Sequence, residues 1–359
     1  MVLPYLIKRE NLISLIVFKD GNIIKEAYFH NSDSNTVHDI RSVTKSILAT
    51  LAGIAIDKGI LSSEQELIGD YLESYFDETN LEKSTIKISD VLKMSIGISC
   101  DELAHPDEYL NWFYSNNQIA YTLSKPIVSQ PSQEFNYNSG VSHLLSGVLT
   151  EANGHSTKEF ANDYLFQDLG INNPYWQTDK QGLYNGAAGL QLTPYDMLKI
   201  GKLYLNKGVF NNKRVVSENW IKKATSAQIP TNLSQPFAKS YGYYWWIGEA
   251  HNHNYYFANG YGGQFLVVVP EINLIVIATN KWLNISIDKA NNQWYNTLDI
   301  IINKIIFIMM KYLYTVLIIA LALVGTTDLQ AGNGDRQGEA GAYELIMNPW
   351  PVSAGLHGM

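Results

Sequence analysis

Cysteine is nearly absent. Cys100 stands alone among 359 residues, which excludes an internal disulfide and any paired-cysteine redox or zinc motif. Histidine is sparse as well: there are 8, and neither His251 with His253 nor any other pair falls in an H-E-x-x-H or similar ligand pattern, so no metal is expected. Positive charge is in deficit. Lys and Arg number 26 against 34 Asp and Glu, a net charge of −8, with no block of like sign. A nucleic-acid partner calls for a basic patch and is not expected; the mild acidity serves solubility. Internal repeats and low-complexity segments are missing. What is present is 46% hydrophobic and 17% charged, an ordinary folded composition in a chain long enough to bury a large core.

Long apolar runs are confined to one end. The opening stretch MVLPYLIKRENLISLIVF lacks the charged start, apolar middle and small-residue cleavage site of a secretory signal. From Met310, by contrast, the chain reads MKYLYTVLIIALALVGTTDLQAGNG, a Met-Lys start, an apolar run from Leu313 to Val324, and then small polar residues. That order is the order of a signal peptide, at the wrong end. The lysine-free run from Tyr312 to Gly325 is 14 residues, short of the ~20 that a spanning helix needs. Three readings are open: an anchor, a buried terminal helix, or the start of a fused neighbouring reading frame. The order of features favours the last. The expected organisation is one domain over 1–305 and an extraneous tail over 306–359, with membrane contact only through 305–325.

Before the tail, apolar residues 13–18 and 23–29 flank Asp20-Gly21 and predict a β-hairpin. Helical patterns follow after Ser42, at about 140–153, 157–168, from Thr193-Pro194, and near 217–225. Residues 101–135 are polar and aromatic and read as loop with short helices. Strands return at GYYWWI (242–247), HNYYFA (253–258), FLVVVP (265–270) and LIVIAT (274–279), and a long helix over about 285–305 ends the domain. A helical block thus interrupts one antiparallel sheet built from both ends of the domain. The expected class is α+β, an antiparallel sheet flanked by helices with a mainly helical lobe.

The stretch RSVTKSILAT (41–50) puts Ser42 at the start of a helix of about four turns, with Lys45 three residues on and so on the same face. Alone, this reads as a capping serine and a solvated lysine. Two further pieces change the balance. FNYNSG (135–140) sets Tyr137 in a loop before a helix with Ser139 two residues on, and ANGYGGQ (258–264) is a glycine-rich entry to a strand. Acyl transfer needs a nucleophile, a base and an oxyanion hole. Ser42 fits the first. Lys45 fits the second when neutral, or holds a base anionic when charged; Tyr137 does either when desolvated beside a cation. The amide of Ser42 at a helix start is one oxyanion donor and an amide near Tyr261 the other. Gly260, Gly262 and Gly263 would let a substrate lie close to that backbone. Gln264 either binds substrate or braces the turn.

The order S-x-x-K, Y-x-[NS], glycine-rich strand start resembles the serine β-lactamase and penicillin-binding-protein superfamily. The likeness is to the class C branch with its esterases, D-aminopeptidases and aminohexanoate-dimer hydrolases. HDIRSVTKSILATLAGIAIDKG, FNYNSGVSHLLSGVL, GLQLTPYDMLKIGKLYLNKG and GYGGQFLVVVPE carry it over roughly residues 12–300. The resemblance implies a β-lactamase/transpeptidase-like fold and a serine hydrolase that cleaves an ester or amide through an acyl-enzyme on Ser42, without a cofactor. It implies Lys45 as proton partner, Tyr137 as second base and leaving-group donor, Ser139 in the place usually held by Asn, and Tyr261 as the strand-side oxyanion amide. Gly260, Gly262, Gly263 and Gln264 would line the substrate side. Small ester, amide or peptide-like substrates are expected, in a bacterial periplasm or envelope, although no N-terminal signal is read. One departure matters. The place of the β-lactamase carboxylate-binding lysine is held by Ala258 or Phe257, neither cationic. That weakens the alternatives, a β-lactamase, a D,D-peptidase or a penicillin-binding sensor that does not turn over. Asp39 and Arg41 read as a structural ion pair.

Overall fold

The computed structural model describes residues 10–311 except 101 and 104; the tail segment 312–359 lies outside the described residues. An eight-stranded antiparallel sheet organises the body. Its strands are β1 (Leu12–Lys19), β2 (Asn22–Tyr28), β3 (Ile229–Pro230), β4 (Ser240–Tyr241), β5 (Trp246–Ala250), β6 (His253–Gly260), β7 (Gln264–Val269) and β8 (Leu274–Asn280), in the spatial order β2-β1-β8-β7-β6-β5-β4-β3. Sheet strands thus come from both ends of the domain, as the α+β reading requires. Asp20 and Gly21 both have positive φ, 47° and 88°, which is the two-residue turn that matches the strand twist of a hairpin.

The central strands β7 and β8 are buried along their whole length. Near-continuous Val and Ile runs of this kind mark a sheet covered on both faces. On one face, Gly201 of helix α5 (Pro194–Leu205) lies directly over Ile275 and Leu266, leaving no room for a Cβ. On the other, the neighbouring Phe265 meets Trp294 of helix α6 (Ile287–Ile300), with ring centroids 6.1 Å apart. Successive side chains on a strand point to opposite faces, and here each face has its own helix.

Helix α1 (Val43–Asp57) runs through the middle, with every residue from Val43 to Ala55 buried. A helix buried on every side belongs inside a core. It ends at Lys58-Gly59, a cation followed by a glycine, with Gly59 taking φ +71°. The helical lobe holds α2 (Pro106–Tyr114), α3 (Gln118–Ser124) and α4 (Ser139–Asn153). The helix predicted from Thr193-Pro194 is present and opens on a capping box: the Thr193 hydroxyl accepts from the Asp196 amide, and Asp196 accepts in return.

Two sequence expectations differ in detail. GYYWWI is not one strand: residues 242–245 form the turn between β4 and β5, closed by Gly242 N–H donating to the Trp245 carbonyl at 2.8 Å. Tertiary bonds pull this stretch out of the ladder, since Tyr244 donates its N–H to Leu92 O and its carbonyl accepts from Ser46 Oγ at 2.7 Å. The last helix passes beyond 305. It widens over Ile301–Ile306 and continues, with Met309 and Met310 still packed against the core. Among the described residues, no helix is long and apolar enough to cross a membrane.

Candidate active site

The chain reaches Ser42 through a sharp turn. Residues His38 and Asp39 pair with Gln191 and Leu192 in a short ladder, and the chain then reverses into α1 with Arg41 at φ 51°. That left-handed conformation costs about 1 kcal/mol or more in a residue with a side chain, so it needs support. Asp39 supplies it: Oδ1 accepts from the Arg41 amide at 2.8 Å and Oδ2 from the guanidinium at 3.4 Å. The guanidinium also stacks on Trp282 at 4.4 Å and donates to Tyr109 Oη at 3.2 Å. The result is Ser42 at the N-cap of α1, half-buried, with no side-chain capping bond to occupy its hydroxyl.

Lys45 is fully inside. Its Nζ lies 2.9 Å from Ser42 Oγ, 3.2 Å from Ser139 Oγ and 3.2 Å from the carbonyl of Ala187. Burial pushes its ammonium down to about 7; Glu102 pulls it back up and Arg41 pushes it further down. At neutral pH a large share of Lys45 is therefore the neutral amine, able to take a proton.

Tyr137 sits on the stretch that enters α4. Asn138, not Ser139, caps that helix, its Oδ1 accepting from Val141 N–H at 3.2 Å. The cap places Tyr137 and Ser139 on either side of Lys45. The Tyr137 ring stacks against Trp246 at 5.7 Å and meets Tyr241 edge-on at 6.5 Å. Its other neighbour is the Lys45 Nζ, 4.9 Å from the ring centroid. The phenol is hydrogen-bonded to Ser42, yet burial raises its pKa well above the ordinary tyrosine value. Burial thus favours the neutral phenol.

The glycine-rich stretch closes the site from the sheet side. A Cβ on Gly260 would fall 2.4 Å from Ile40 O and 3.0 Å from Arg41 Cβ, so the end of β6 lies directly on the turn that carries Ser42. Tyr261 follows, partly exposed at 38%. Gly262 and Gly263 have φ of +73° and +92°, and Gly262 faces Trp282. The bare Cα atoms of Gly260 and Gly262 thus admit the protein's own close packing. Gln264 takes the bracing role of the two expected. It is fully buried, with Nε2 donating to Asn280 O at 2.8 Å and Oε1 accepting from Asn280 N–H at 3.1 Å.

Sequence reasoning did not find Glu102. This half-buried residue turns its carboxyl inward, where Oε1 accepts from the Ser139 amide at 2.6 Å and the Ser139 hydroxyl is a further bonding partner. Burial raises its pKa, while Lys45 and the two Ser139 bonds oppose the rise. A single carboxylate in a polar loop carries no spacing signal. Ala187 was equally hidden, because its contribution is a carbonyl. Its loop is held from behind by His143, whose Nδ1 accepts from Gly186 N–H at 3.1 Å while Nε2 meets buried Asp179 at 3.0 Å.

The constellation has relatives. The family model described as Beta-lactamase matches residues 12–296. A 6-aminohexanoate-dimer hydrolase of Paenarthrobacter ureafaciens is 22% identical over 293 residues, covering 75% of this chain and 72% of that protein. Among solved structures, a candidate 6-aminohexanoate-dimer hydrolase from Bacillus anthracis superposes with TM-score 0.68 at 18% identity, over 84% of this chain and 82% of its own. EstCE1, described as a hydrolase with promiscuous acyltransferase activity, superposes with TM-score 0.64 at 16% identity, over 82% and 96%. At these identities the structural likeness speaks for the fold, a large antiparallel sheet with flanking helices. The family match extends over most of the chain and spans both the sheet and the helical lobe, and so this chain belongs to the Beta-lactamase family, as one of its serine hydrolases.

Proposed function

We propose that the protein cleaves a small ester or amide through a covalent acyl-enzyme on Ser42, with Lys45 as general base and Tyr137 as general acid. The observation that carries this is the 2.9 Å contact between Ser42 Oγ and a fully buried Lys45 Nζ whose pKa is pushed down to about 7. Neutral Lys45 takes the Ser42 proton as Oγ attacks the carbonyl carbon. The oxyanion is met by the Ser42 amide at the start of α1 and the Tyr261 amide at the end of β6. As the tetrahedral intermediate collapses, the Tyr137 phenol gives its proton to the departing oxygen or nitrogen. Lys45, lying against the Tyr137 ring, returns the proton it holds. Water then attacks the acyl-enzyme by the same route in reverse and frees Ser42.

The substrate side favours an ester or amide over penicillin. Ala258 and Phe257 are buried and uncharged, so this strand offers no cation for a drug carboxylate. The relatives named as a dimer hydrolase and an acyl-transferring hydrolase lean the same way. Ser42→Ala tests the assignment: with p-nitrophenyl acetate as substrate, turnover and the acyl mass adduct should both vanish. More than trace turnover in that variant would remove Ser42 from the role. A lasting penicillin adduct on Ser42 with no ester turnover would instead favour the penicillin-binding reading.

A further inference from the structure

A neutral lysine amine has two N–H donors and one lone pair, and catalysis requires the lone pair to face Ser42. Three oxygens surround the Lys45 Nζ: Ser42 Oγ, Ser139 Oγ and Ala187 O. The Ala187 carbonyl only accepts, so it takes one N–H. The two hydroxyls then compete for the lone pair, and a hydroxyl has a single proton to give. Nothing within Lys45 itself decides between them. An amine whose lone pair points at Ser139 is a base aimed at the wrong group.

Glu102 decides it. The two bonds from Ser139 favour its ionised form against the effect of burial; an ionised carboxylate accepts only, so the Ser139 hydroxyl proton goes to Glu102 and its oxygen is left to accept from Lys45. Both N–H groups are then spent, one on Ala187 and one on Ser139, and the lone pair is left to Ser42. The 2.6 Å bond from the Ser139 amide to Glu102 Oε1 holds the carboxylate in the place where this works. We propose that Glu102 is a positioning residue for acylation, acting through the Ser139 hydroxyl to turn the lone pair of Lys45 onto Ser42. The proposal rests on the reading of Ser42 and Lys45 as nucleophile and base.

The charges around the pair give the direction of a second readout. Lys45 faces Arg41 from the turn before α1 and lies against Tyr137 from the stretch before α4; Glu102 faces Glu108 and Tyr109 of α2. Of the charged groups around Lys45, Glu102 holds a proton on the amine, whereas Arg41 drives it off. Removing the carboxylate charge therefore shifts the deprotonation of Lys45 to lower pH. The reaction becomes less dependent on alkali while becoming slower, a pair of effects that mere loosening of the fold does not produce.

The test measures the acylation rate of the full chain with p-nitrophenyl acetate between pH 5 and 9, with intact mass to locate the acyl group. E102Q places an amide donor beside Ser139 and reverses the hydrogen-bond polarity. Its acylation should fall about 10–100-fold, less than the ~10²–10⁴ attributed to a general base itself, with the adduct still on Ser42. The midpoint of its rising limb should move to lower pH, and E102D should recover much of the rate. S139A, which leaves Glu102 in place, should lose a similar factor, and in that background E102Q should change the rate less than about twofold, because the relay is already cut. Wild-type acylation in E102Q, or losses that multiply in the double variant, would overturn the proposal while leaving the nucleophile assignment intact. No adduct on Ser42 in the wild-type protein would overturn both.

Discussion

Gly260→Ala probes the join between the sheet and the nucleophile turn with one methyl group. The added Cβ would lie 2.4 Å from Ile40 O, 2.9 Å from Gln264 Cβ and 3.0 Å from Arg41 Cβ, where ordinary contact begins near 3.4 Å. The nearest atom is backbone, in a turn already pinned by Asp39, and Gln264 is locked by Asn280. Neither yields as a flexible side chain would, so β6 and the turn must separate by about 1 Å. That gap opens between the two amides assigned to the oxyanion, and misplacement by ~1 Å costs on the order of 10²-fold in rate. Overpacking adds a stability loss of about 1–3 kcal/mol. The assay is kcat and KM with p-nitrophenyl acetate beside a thermal unfolding curve. The expected outcome is a large fall in kcat with a small change in KM, in a protein that remains folded. A variant that folds and keeps wild-type kcat would refute the claim that this contact sets the oxyanion geometry.

The rate of acylation should rise as pH increases through about 7, because Lys45 acts as the neutral amine and its proton is lost there rather than at 10.5; a rate that keeps rising with a midpoint near 10 would mean an ordinary ammonium. Tyr137→Phe removes the donor to the leaving group while keeping the stacked ring, and should slow turnover by ~10²–10⁴ with little change in thermal stability. A fall of less than about fivefold would move the proton donation elsewhere.

Much of this site was written in local patterns. Ser42 and Lys45 are three residues apart on one helix and Tyr137 precedes another, but periodicity alone left Ser42 as a cap; the order of S-x-x-K, Y-x-[NS] and the glycine-rich strand start, and the family it resembles, brought them into view. The sheet followed from Val and Ile runs and the Asp20-Gly21 turn. What stayed hidden is what the tertiary fold adds. Glu102 and Ala187 come from loops with no repeating pattern, and one of them acts through its backbone. The glycines were legible as a cluster but not in their use. Their missing side chains admit Ile40, Arg41 and Trp282, neighbours far away in sequence. The aromatic run 242–247 misled for a related reason, since bonds to Leu92 and Ser46 outweigh its strand propensity.

The burial of Lys45 makes chemistry depend on the integrity of its surroundings. Its proton affinity is low because burial shuts water out around it, and the partners that replace water, Ser139 and Ala187, come from separate stretches of chain. Any opening that readmits water returns the amine toward its ordinary value of 10.5. At pH 7 the neutral fraction would then fall steeply. A breathing motion too small to unfold anything would thus leave Lys45 charged, and on the proposed mechanism hydrolysis becomes a gauge of how tightly its surroundings are shut.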